Sequence, residues 1–172
     1  MDLHLLELSH LTPQHRAELH TDEQDPFEMA GNTLTWRSKT SFVALAEPGG
    51  RLVACAGLVP AEIEPADHAR ISVVGVGGVI VAAPFRGRGI ADRAITAALD
   101  RAATMGPEIA MLFCLRSRAG LYARHGFAEI DPPIRVEQPH GLVEIPQVGM
   151  WRALRPHIKL PNPPITLRGL PF

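Results

Sequence analysis

The chain has 172 residues, of which 46% are hydrophobic and 20% are charged, and its formal net charge at pH 7 is −1. A single core of this size buries about 70% of the surface of the unfolded chain, so one globular domain over residues 1–172 is sufficient. The near-neutral charge excludes a general attraction to nucleic acid or to anionic membranes, and any electrostatic role must be local.

The N-terminus and the cysteines bear on the compartment of the protein. The opening MDLHLLELSHL has neither a basic leader nor a sustained apolar stretch, and no segment reaches the roughly 18 apolar residues of a membrane span. Cys55 and Cys114 each lie in an apolar run, which predicts buried strand residues rather than a disulfide framework or a metal site. We therefore expect a cytoplasmic protein without a membrane segment.

The first half of the chain predicts a strand, a helix and a hairpin. DLHLLEL alternates loosely as a strand does, and Thr12 followed by Pro13 is typical of the start of a helix. TDEQDPFEMAGN is broken by Pro26, which predicts a second short helix or an ordered loop. SFVALAE and RLVACAGLV, joined by PGG, form the clearest hairpin, and PAEIEPADHA is expected to be an acidic loop.

The second half predicts a strand, helix and strand followed by shorter elements. RISVVGVGGVIVA is a strand whose glycines indicate a bulge or a close backbone approach. Apolar residues recur on one face from Gly89 to Thr104, and IAMLFCL is a buried strand that we expect to lie parallel to the first. RSRAGLYARHGF predicts a short helix, FAEI and LVEIPQVGMW predict strands, and the proline-rich tail over about 154–172 is expected to be irregular.

The stretch RGRG, from Arg86 to Gly89, carries the clearest chemistry. Glycine lets a ligand approach the backbone, and the first N–H groups of the following helix have no internal partners. The helix dipole and the arginine forks both favour phosphate oxygens, so the stretch predicts a pyrophosphate cradle. GVGG at residues 75–78 is no dinucleotide fingerprint because no helix follows in register, and no GK[ST] of a P-loop occurs.

The region over about 72–130 resembles the GCN5-related N-acetyltransferase (GNAT) family, whose acyl-CoA motif has the form [QR]-x-x-G-x-[GA]. Arg86, Gly89 and Ala91 match this motif just after the glycine-containing strand. The resemblance implies a mixed α/β fold with a central, mixed and largely antiparallel sheet, splayed at a bulged middle strand and flanked by helices. It also implies that acetyl-CoA is the cosubstrate.

The resemblance further implies roles for single residues. Tyr122 is followed by x-x-x-G-F, as in the family, and would be the catalytic acid that protonates the departing CoA thiolate. An N–H of the bulge near Val79 would polarise the thioester carbonyl. Many members have asparagine where this chain has Leu115, so the contact it makes would be lost or moved to Ser117. The implied cofactor-binding residues are Val79, Ile80, Val81, Arg86, Gly87, Arg88, Gly89, Ile90, Ala91 and Ser117.

The sequence does not identify the general base or the acceptor. Several relatives, including the aminoglycoside 2'-N-acetyltransferases to which the chain is distantly similar, carry a glutamate just before the bulge, where this chain has Gly77. Acidic residues cluster over 22–28 and 62–67, and two such walls would attract a cationic amine. The histidines show no ligand spacing, so no metal is expected. The candidate acceptor-side residues are Glu28, Glu62, Glu64 and His68.

Together these features predict an enzyme that transfers acetyl from acetyl-CoA directly to a primary amine of a small polar acceptor, with a cationic amine as one candidate. Two alternatives stay open: a non-catalytic acyl-CoA-binding or regulatory module, and an acyltransferase with another acyl-CoA or another acceptor. Nucleic acid is not an expected partner because no basic stripe with aromatic residues accompanies RGRG. The apolar tail leaves both a homodimer and a monomer open.

Overall fold

The computed structural model describes residues 1–67 and 69–172, which form one mixed sheet and three α-helices. The strands are β1 (His4–Leu8), β2 (Ser41–Ala46), β3 (Leu52–Pro65), β4 (Ile71–Val81), β5 (Ile109–Cys114), β6 (Ala128–Glu129), β7 (Arg135–Gln138), β8 (Gly141–Glu144), β9 (Val148–Ala153) and β10 (Ile165–Arg168). The helices are α1 (Pro13–His20), α2 (Ile90–Ala103) and α3 (Ala119–Ala123). Among the residues that the structure describes, none of these helices has the length and apolarity that crossing a membrane requires.

The sheet is mixed and largely antiparallel, as the sequence predicts. Its strand order is β6-β9-β5-β4-β3-β10-β7-β8, with β2 on the first half of β3 and β1 on β2. Among the strand pairs of the described residues, two are parallel, β4 with β5 and β10 with β7. The first of these pairs is joined by α2, so the predicted parallel strand–helix–strand unit is confirmed. The predicted helix start is also confirmed, because the Thr12 hydroxyl accepts from the main-chain N–H of His15.

Strand β3 is longer than the sequence indicates. Residues 60–65 of the segment expected to be an acidic loop continue the strand, and Glu62 and Glu64 pair with Ser72 and Thr166 of the neighbouring strands. The apolar Ile63 between them is fully buried while both glutamates are accessible, which is the alternation of a half-buried strand. The prolines and acidic residues of this segment concealed that alternation.

The C-terminal tail, which the sequence predicts to be irregular, contains a strand. Residues 165–168 form β10, which lies antiparallel to β3 and parallel to β7 in the interior of the sheet. The prolines of PNPP precede the strand, so their missing N–H groups remove no hydrogen bond from its ladder. The buried Ile165 and Leu167 hold the strand in the core. The strand is fixed by pairing with residues that lie about a hundred positions earlier in the chain. No local sequence pattern therefore predicts it.

The two faces of the sheet have different cores. On one side, which we call the α2 face, Val74 and Val76 pack with Ile95 of α2. On the other side, which we call the far face, Val73 packs with Met111 and residues of β10. Both cysteines are buried free thiols in strands, as predicted.

Strands β4 and β5 separate soon after they meet. They pair only at Val74 with Ala110 and at Gly75 with Met111, and the rest of β4 has no strand on that edge. On its other edge β4 carries the bulge that its glycines predict. Gly77 pairs with Gly57 and Ile80 with Cys55, so two residues of β4 face one of β3. The bulged Gly78 has a left-handed φ of 59°.

We expect Gly75→Ala to destabilise the fold, because a Cβ there would lie 2.6 Å from the ring of Phe172. Such overpacking costs about 1–3 kcal/mol, to be measured by urea unfolding. The cost of Gly75→Ala should fall in a Phe172→Ala background, since that change removes the obstructing ring. Gly49→Ala, with open space around its Cβ, is the matched control. An equal loss of unfolding free energy in the wild-type and Phe172→Ala backgrounds would contradict the contact of Gly75 with the Phe172 ring.

Candidate active site

The separation of β4 and β5 opens a cleft of about 910 Å³. One wall is the unpaired edge of β4 from Val76 to Val81, and the opposite wall is the end of β5 with α3. The loop that leads into α2 closes one end, and residues 25–29 of the segment before β2 border the cleft. The bulge and the RGRG stretch therefore lie on one continuous surface.

The loop before α2 has the backbone that an anion site needs. Gly87 and Gly89 have φ values of 74° and 71°, in the left-handed region that favours glycine. Gly89 is the N-cap of α2, and no side chain caps the helix there. The first N–H groups of α2 are thus without a side-chain acceptor, at the positive end of the helix dipole.

Arg86 is held by two groups rather than free. Its Nε donates to the carbonyl oxygen of Val81 at 2.9 Å, and both nitrogens of its fork donate to the carboxylate of Glu23. The hydrogen bonds from Arg86 lower the pKa of Glu23 below its usual range. The Glu23 carboxylate therefore binds the Arg86 guanidinium that the sequence predicts to bind phosphate. Arg88 does not line the cleft, and its guanidinium lies 5.9 Å from the centre of the Phe85 ring.

The acidic segment over residues 22–28 is an ordered loop, not a second helix. The carboxylate of Asp25 accepts from the main-chain N–H groups of Met29 and Ala30 at 2.7 and 2.8 Å. Glu28 forms an ion pair of 3.2 Å with Arg118. Three of the four acidic residues of this segment therefore have partners, and two of these three, Glu23 and Glu28, are paired with arginines.

Asp92 links the two sides of the cleft. It lies in the first turn of α2 and contacts Nε2 of His125 at 2.9 Å and a guanidinium nitrogen of Arg124 at 3.3 Å. The hydrogen bond with His125, followed by that with Arg124, lowers the pKa of Asp92 despite some desolvation. These contacts tie the start of α2 to the chain that follows α3. The helix that carries Tyr122 is thereby fixed relative to the glycine loop.

Tyr122 lies on α3 in the wall of the cleft. Its ring meets that of Phe127 edge to face, with centroids 6.1 Å apart. Burial raises the pKa of Tyr122 to about 12, and the nearby Cys114 adds to the rise. Burial also raises the pKa of Cys114 to about 11. Both groups are consequently protonated at neutral pH.

The structure brings most of the predicted site residues together. Those that line the cleft are Glu28, Val79, Ile80, Val81, Arg86, Gly87, Gly89, Ile90, Ala91 and Tyr122. Ser117 lies in a 3-10 turn beside the cleft but, like Arg88, does not line it.

Glu62 and Glu64 do not join this group. Glu62 and Glu64 lie near the end of β3 and form ion pairs with Arg70, and Glu64 also with Arg168. In the ladder Glu62 is opposite Ser72, five residues before Gly77 and hence roughly 17 Å along the strand. Neither glutamate lines the cleft. His68 lies outside the described residues.

Sequence reasoning missed a second group of lining residues on the far face. A Cβ on Gly77 would lie 2.9 Å from Cε of Lys39 and 2.9 Å from the main-chain carbonyl carbon of Phe172. The glycines of β4 predicted a close approach, but nothing in them says which residue approaches. Burial lowers the pKa of Lys39 below its ordinary value. The far-face lining residues are Trp36, Lys39, Phe113, Gln147 and Phe172.

Solved structures with the same fold are numerous. YhbS, a GNAT family N-acetyltransferase of Escherichia coli in complex with CoA, matches with a TM-score of 0.61 at 16% identity, over 98% of this chain and 91% of that one. A putative N-acetyltransferase of Lactobacillus plantarum matches with a TM-score of 0.57 at 17% identity, over 89% and 99%. N-acetylglutamate synthase of Neisseria gonorrhoeae, complexed with CoA and N-acetyl-glutamate, matches with 0.57 at 17%, over 88% and 35%.

The sequence model of one family agrees with the fold, although no curated protein matches the chain. The similarity to aminoglycoside 2'-N-acetyltransferases stays a prediction. The family described as "Acetyltransferase (GNAT) domain" has a sequence model that matches residues 15–130, which is more than half of the chain. The splayed sheet, the glycine loop at α2 and this match lead to one conclusion: the chain belongs to the GNAT family of acetyltransferases.

Proposed function

We propose that the protein transfers the acetyl group of acetyl-CoA directly to the primary amine of a small acceptor, without a covalent enzyme intermediate. The observation that carries this proposal is the meeting of three features in one cleft. These are the unpaired edge of β4, the uncapped start of α2 and the protonated Tyr122. Membership of the GNAT family supports it, and YhbS, which shares the fold, was solved with CoA bound.

The residues present fit a pyrophosphate and an extended arm. The main-chain N–H groups of residues 87–91 would bind the phosphates at the start of α2, where the helix dipole favours anions. The free edge of β4 over Val79 to Val81 would pair with the amide groups of the arm, as a further strand would. When bound, acetyl-CoA supplies the acetyl group as an activated thioester. Arg88 and Ser117 are outside this proposed set because they do not line the cleft.

Tyr122 is the proposed general acid. Its raised pKa keeps a proton on the phenol oxygen across the physiological range, and that proton would go to the departing thiolate. The four side-chain carboxylates that line the cleft in the described part of the chain, those of Glu23, Asp25, Glu28 and Asp92, all have partners. We therefore propose that the proton of the acceptor ammonium leaves through water.

A non-catalytic acyl-CoA-binding module is the second candidate. Two departures from the family favour it, Gly77 in place of the glutamate before the bulge and Leu115 in place of asparagine. The position of Tyr122 in the wall of the cleft favours the enzyme instead. Another acyl-CoA or another acceptor would use the same cleft.

We propose that one domain covers residues 1–172, and a cytoplasmic location stays a prediction. Both edges of β10 are paired within the chain, so a homodimer would have to use another surface than this strand. Sedimentation velocity distinguishes the dimer from the monomer.

Turnover is the decisive test of the enzyme. We expect acetyl-CoA to release free CoA thiol only when a primary amine is present. Tyr122→Phe should slow that release by about tenfold or more, because it removes the proton donor. CoA binding to both forms, measured by calorimetry, should be equal. Binding without release from any amine would favour the non-catalytic module, and an absence of CoA binding would contradict both candidates.

The titration of the phenol is a separate test. Tyr122 is the only tyrosine of the chain, so phenolate absorbance near 295 nm reports this residue alone. Because burial disfavours the charged form, we expect a midpoint near pH 12 rather than near the unperturbed value of about 10. Far-UV circular dichroism recorded in parallel shows whether unfolding comes first. A midpoint at or below pH 10 in the folded protein would contradict the buried phenol.

The ion pair of Glu23 with Arg86 generates a prediction about CoA affinity. Bound phosphate and the Glu23 carboxylate would compete for one guanidinium, so Glu23→Gln should tighten CoA binding by roughly two- to fivefold. Glu129→Gln, which breaks the ion pair with Arg116 outside the cleft, is the matched control and should leave the Kd unchanged. Weaker CoA binding by Glu23→Gln would show that the pair organises the loop instead of competing with the ligand.

A further inference from the structure

The side chain of Lys39 crosses the sheet toward the open edge of β4. Lys39 lies just before β2, and its stem passes over Gly57 of β3 and Gly77 of β4, which are opposite each other in the ladder. A Cβ on Gly77 would lie 2.9 Å from Cε of Lys39, and a Cβ on the bulged Gly78 would lie 3.8 Å from the same atom. The glycines therefore form a shallow groove that leads the lysine to the bulge.

The ammonium group at the end of this stem is accessible from the cleft. Lys39 is half-buried and lines the cleft. In the described part of the chain it forms no hydrogen bond or ion pair, and its Nζ is not among the fully buried polar atoms that lack a partner. Burial lowers the pKa of Lys39, and the nearby Cys55 offsets this shift only in part. A lower pKa increases the fraction of neutral amine, which is the nucleophilic form.

The proposed position of acetyl-CoA brings its thioester to the same bulge. The free edge of β4 over Val79 to Val81 would pair with the arm of CoA, and an N–H near Val79 would polarise the thioester carbonyl. Val79 directly follows Gly78, so the carbonyl carbon and the Lys39 amine would lie beside the same piece of backbone. Two groups held together in one cleft react much faster than two that have to meet in solution.

The chain contains one other lysine, Lys159, which provides an internal comparison. Lys159 is exposed and borders a separate cavity beside Glu108 and His157, not the cleft. The two side chains have the same chemistry, but Lys39 alone lies near the proposed thioester. An uncatalysed reaction with acetyl-CoA would favour the more exposed amine, that of Lys159.

From the placement of this amine at the bulge, we infer that Lys39 is a self-acetylation site. One proton of its ammonium leaves to water, and the neutral nitrogen attacks the carbonyl carbon of bound acetyl-CoA. A C–N bond forms, the C–S bond breaks, and the thiolate takes the proton of Tyr122. The nitrogen loses a second proton as the amide forms, and this proton returns through water to Tyr122. The inference rests on the proposed acetyl transfer and adds an acceptor that belongs to the chain itself.

The experiment incubates the protein with acetyl-CoA, without an added amine, and maps acetylation at both lysines by mass spectrometry. We expect Lys39 to react roughly tenfold or more faster than Lys159, although it is the less exposed of the two. Tyr122→Phe should slow acetylation of Lys39 roughly tenfold and leave that of Lys159 unchanged. The rate constant at Lys39 should not depend on protein concentration, because amine and donor meet within one cleft.

Release of CoA thiol in the same mixture is a second readout. It should stop at one equivalent per chain, unlike the continuous release expected with an added amine. Lys39→Met keeps an unbranched stem over the glycines but removes the nitrogen, so this single equivalent should be absent. Because the variant also removes a half-buried charge, its melting temperature should be no lower, and the loss cannot then come from unfolding.

The outcomes separate this inference from the proposed function. An unmodified Lys39 in a protein that acetylates an added amine would overturn the inference while acetyl transfer stands. Equal rates at Lys39 and Lys159, a rate at Lys39 that Tyr122→Phe does not change, or one that rises with protein concentration would also overturn it. Uncatalysed or intermolecular acetylation would then be the explanation. A failure of CoA binding would refute the proposed function and the inference with it.

Discussion

The separation of β4 from β5 after Gly75 is the constraint on which the rest of the site depends. Two parallel strands that stayed paired would satisfy each other's N–H and C=O groups and leave no room between them. Here they pair at two positions only, and the edge of β4 from Val76 to Val81 stays open toward the cleft. The bulge at Gly78 lies on the other edge of the same strand, where β4 pairs with β3. A single departure from regular pairing thus produces both the cavity and the unpaired backbone that a ligand can use.

The groups around this opening are arranged by charge pairing. Arg86 and Arg118 both line the cleft, and each holds one carboxylate of the loop between α1 and β2. Asp92 holds the segment after α3 through His125 and Arg124. These contacts place the glycine loop, Tyr122 and the loop before β2 relative to one another. The far-face lining residues, by contrast, are three aromatic residues, Lys39 and Gln147.

The sequence predicts the parts of this site that are local. The bulged strand, the RGRG turn and the amphipathic helix follow one another along the chain, and each has its own periodicity or turn chemistry. What the sequence does not predict depends on distant pairing. The extended part of β3 lies between β4 and β10, and only its pairing with β4 is local. Glu23 belongs to a predicted negative wall, and the sequence does not show that Arg86 binds it. Gln147 and Phe172 carry no motif, because their place in the cleft follows from the neighbours of β9 and β10.

The position of β10 also has a kinetic consequence. Its pairing with residues 62–65 joins segments that lie a hundred residues apart in the chain, and it is bordered on its other edge by β7. Contacts of such high sequence separation close slowly, because the entropy of a long loop must be lost before the contact stabilises anything. Phe172 follows this strand and completes the aromatic wall beside Gly75. Helix α2 and its glycine loop connect the neighbouring strands β4 and β5 and can therefore form early, whereas the aromatic wall beside Gly75 has to wait for β10 and Phe172.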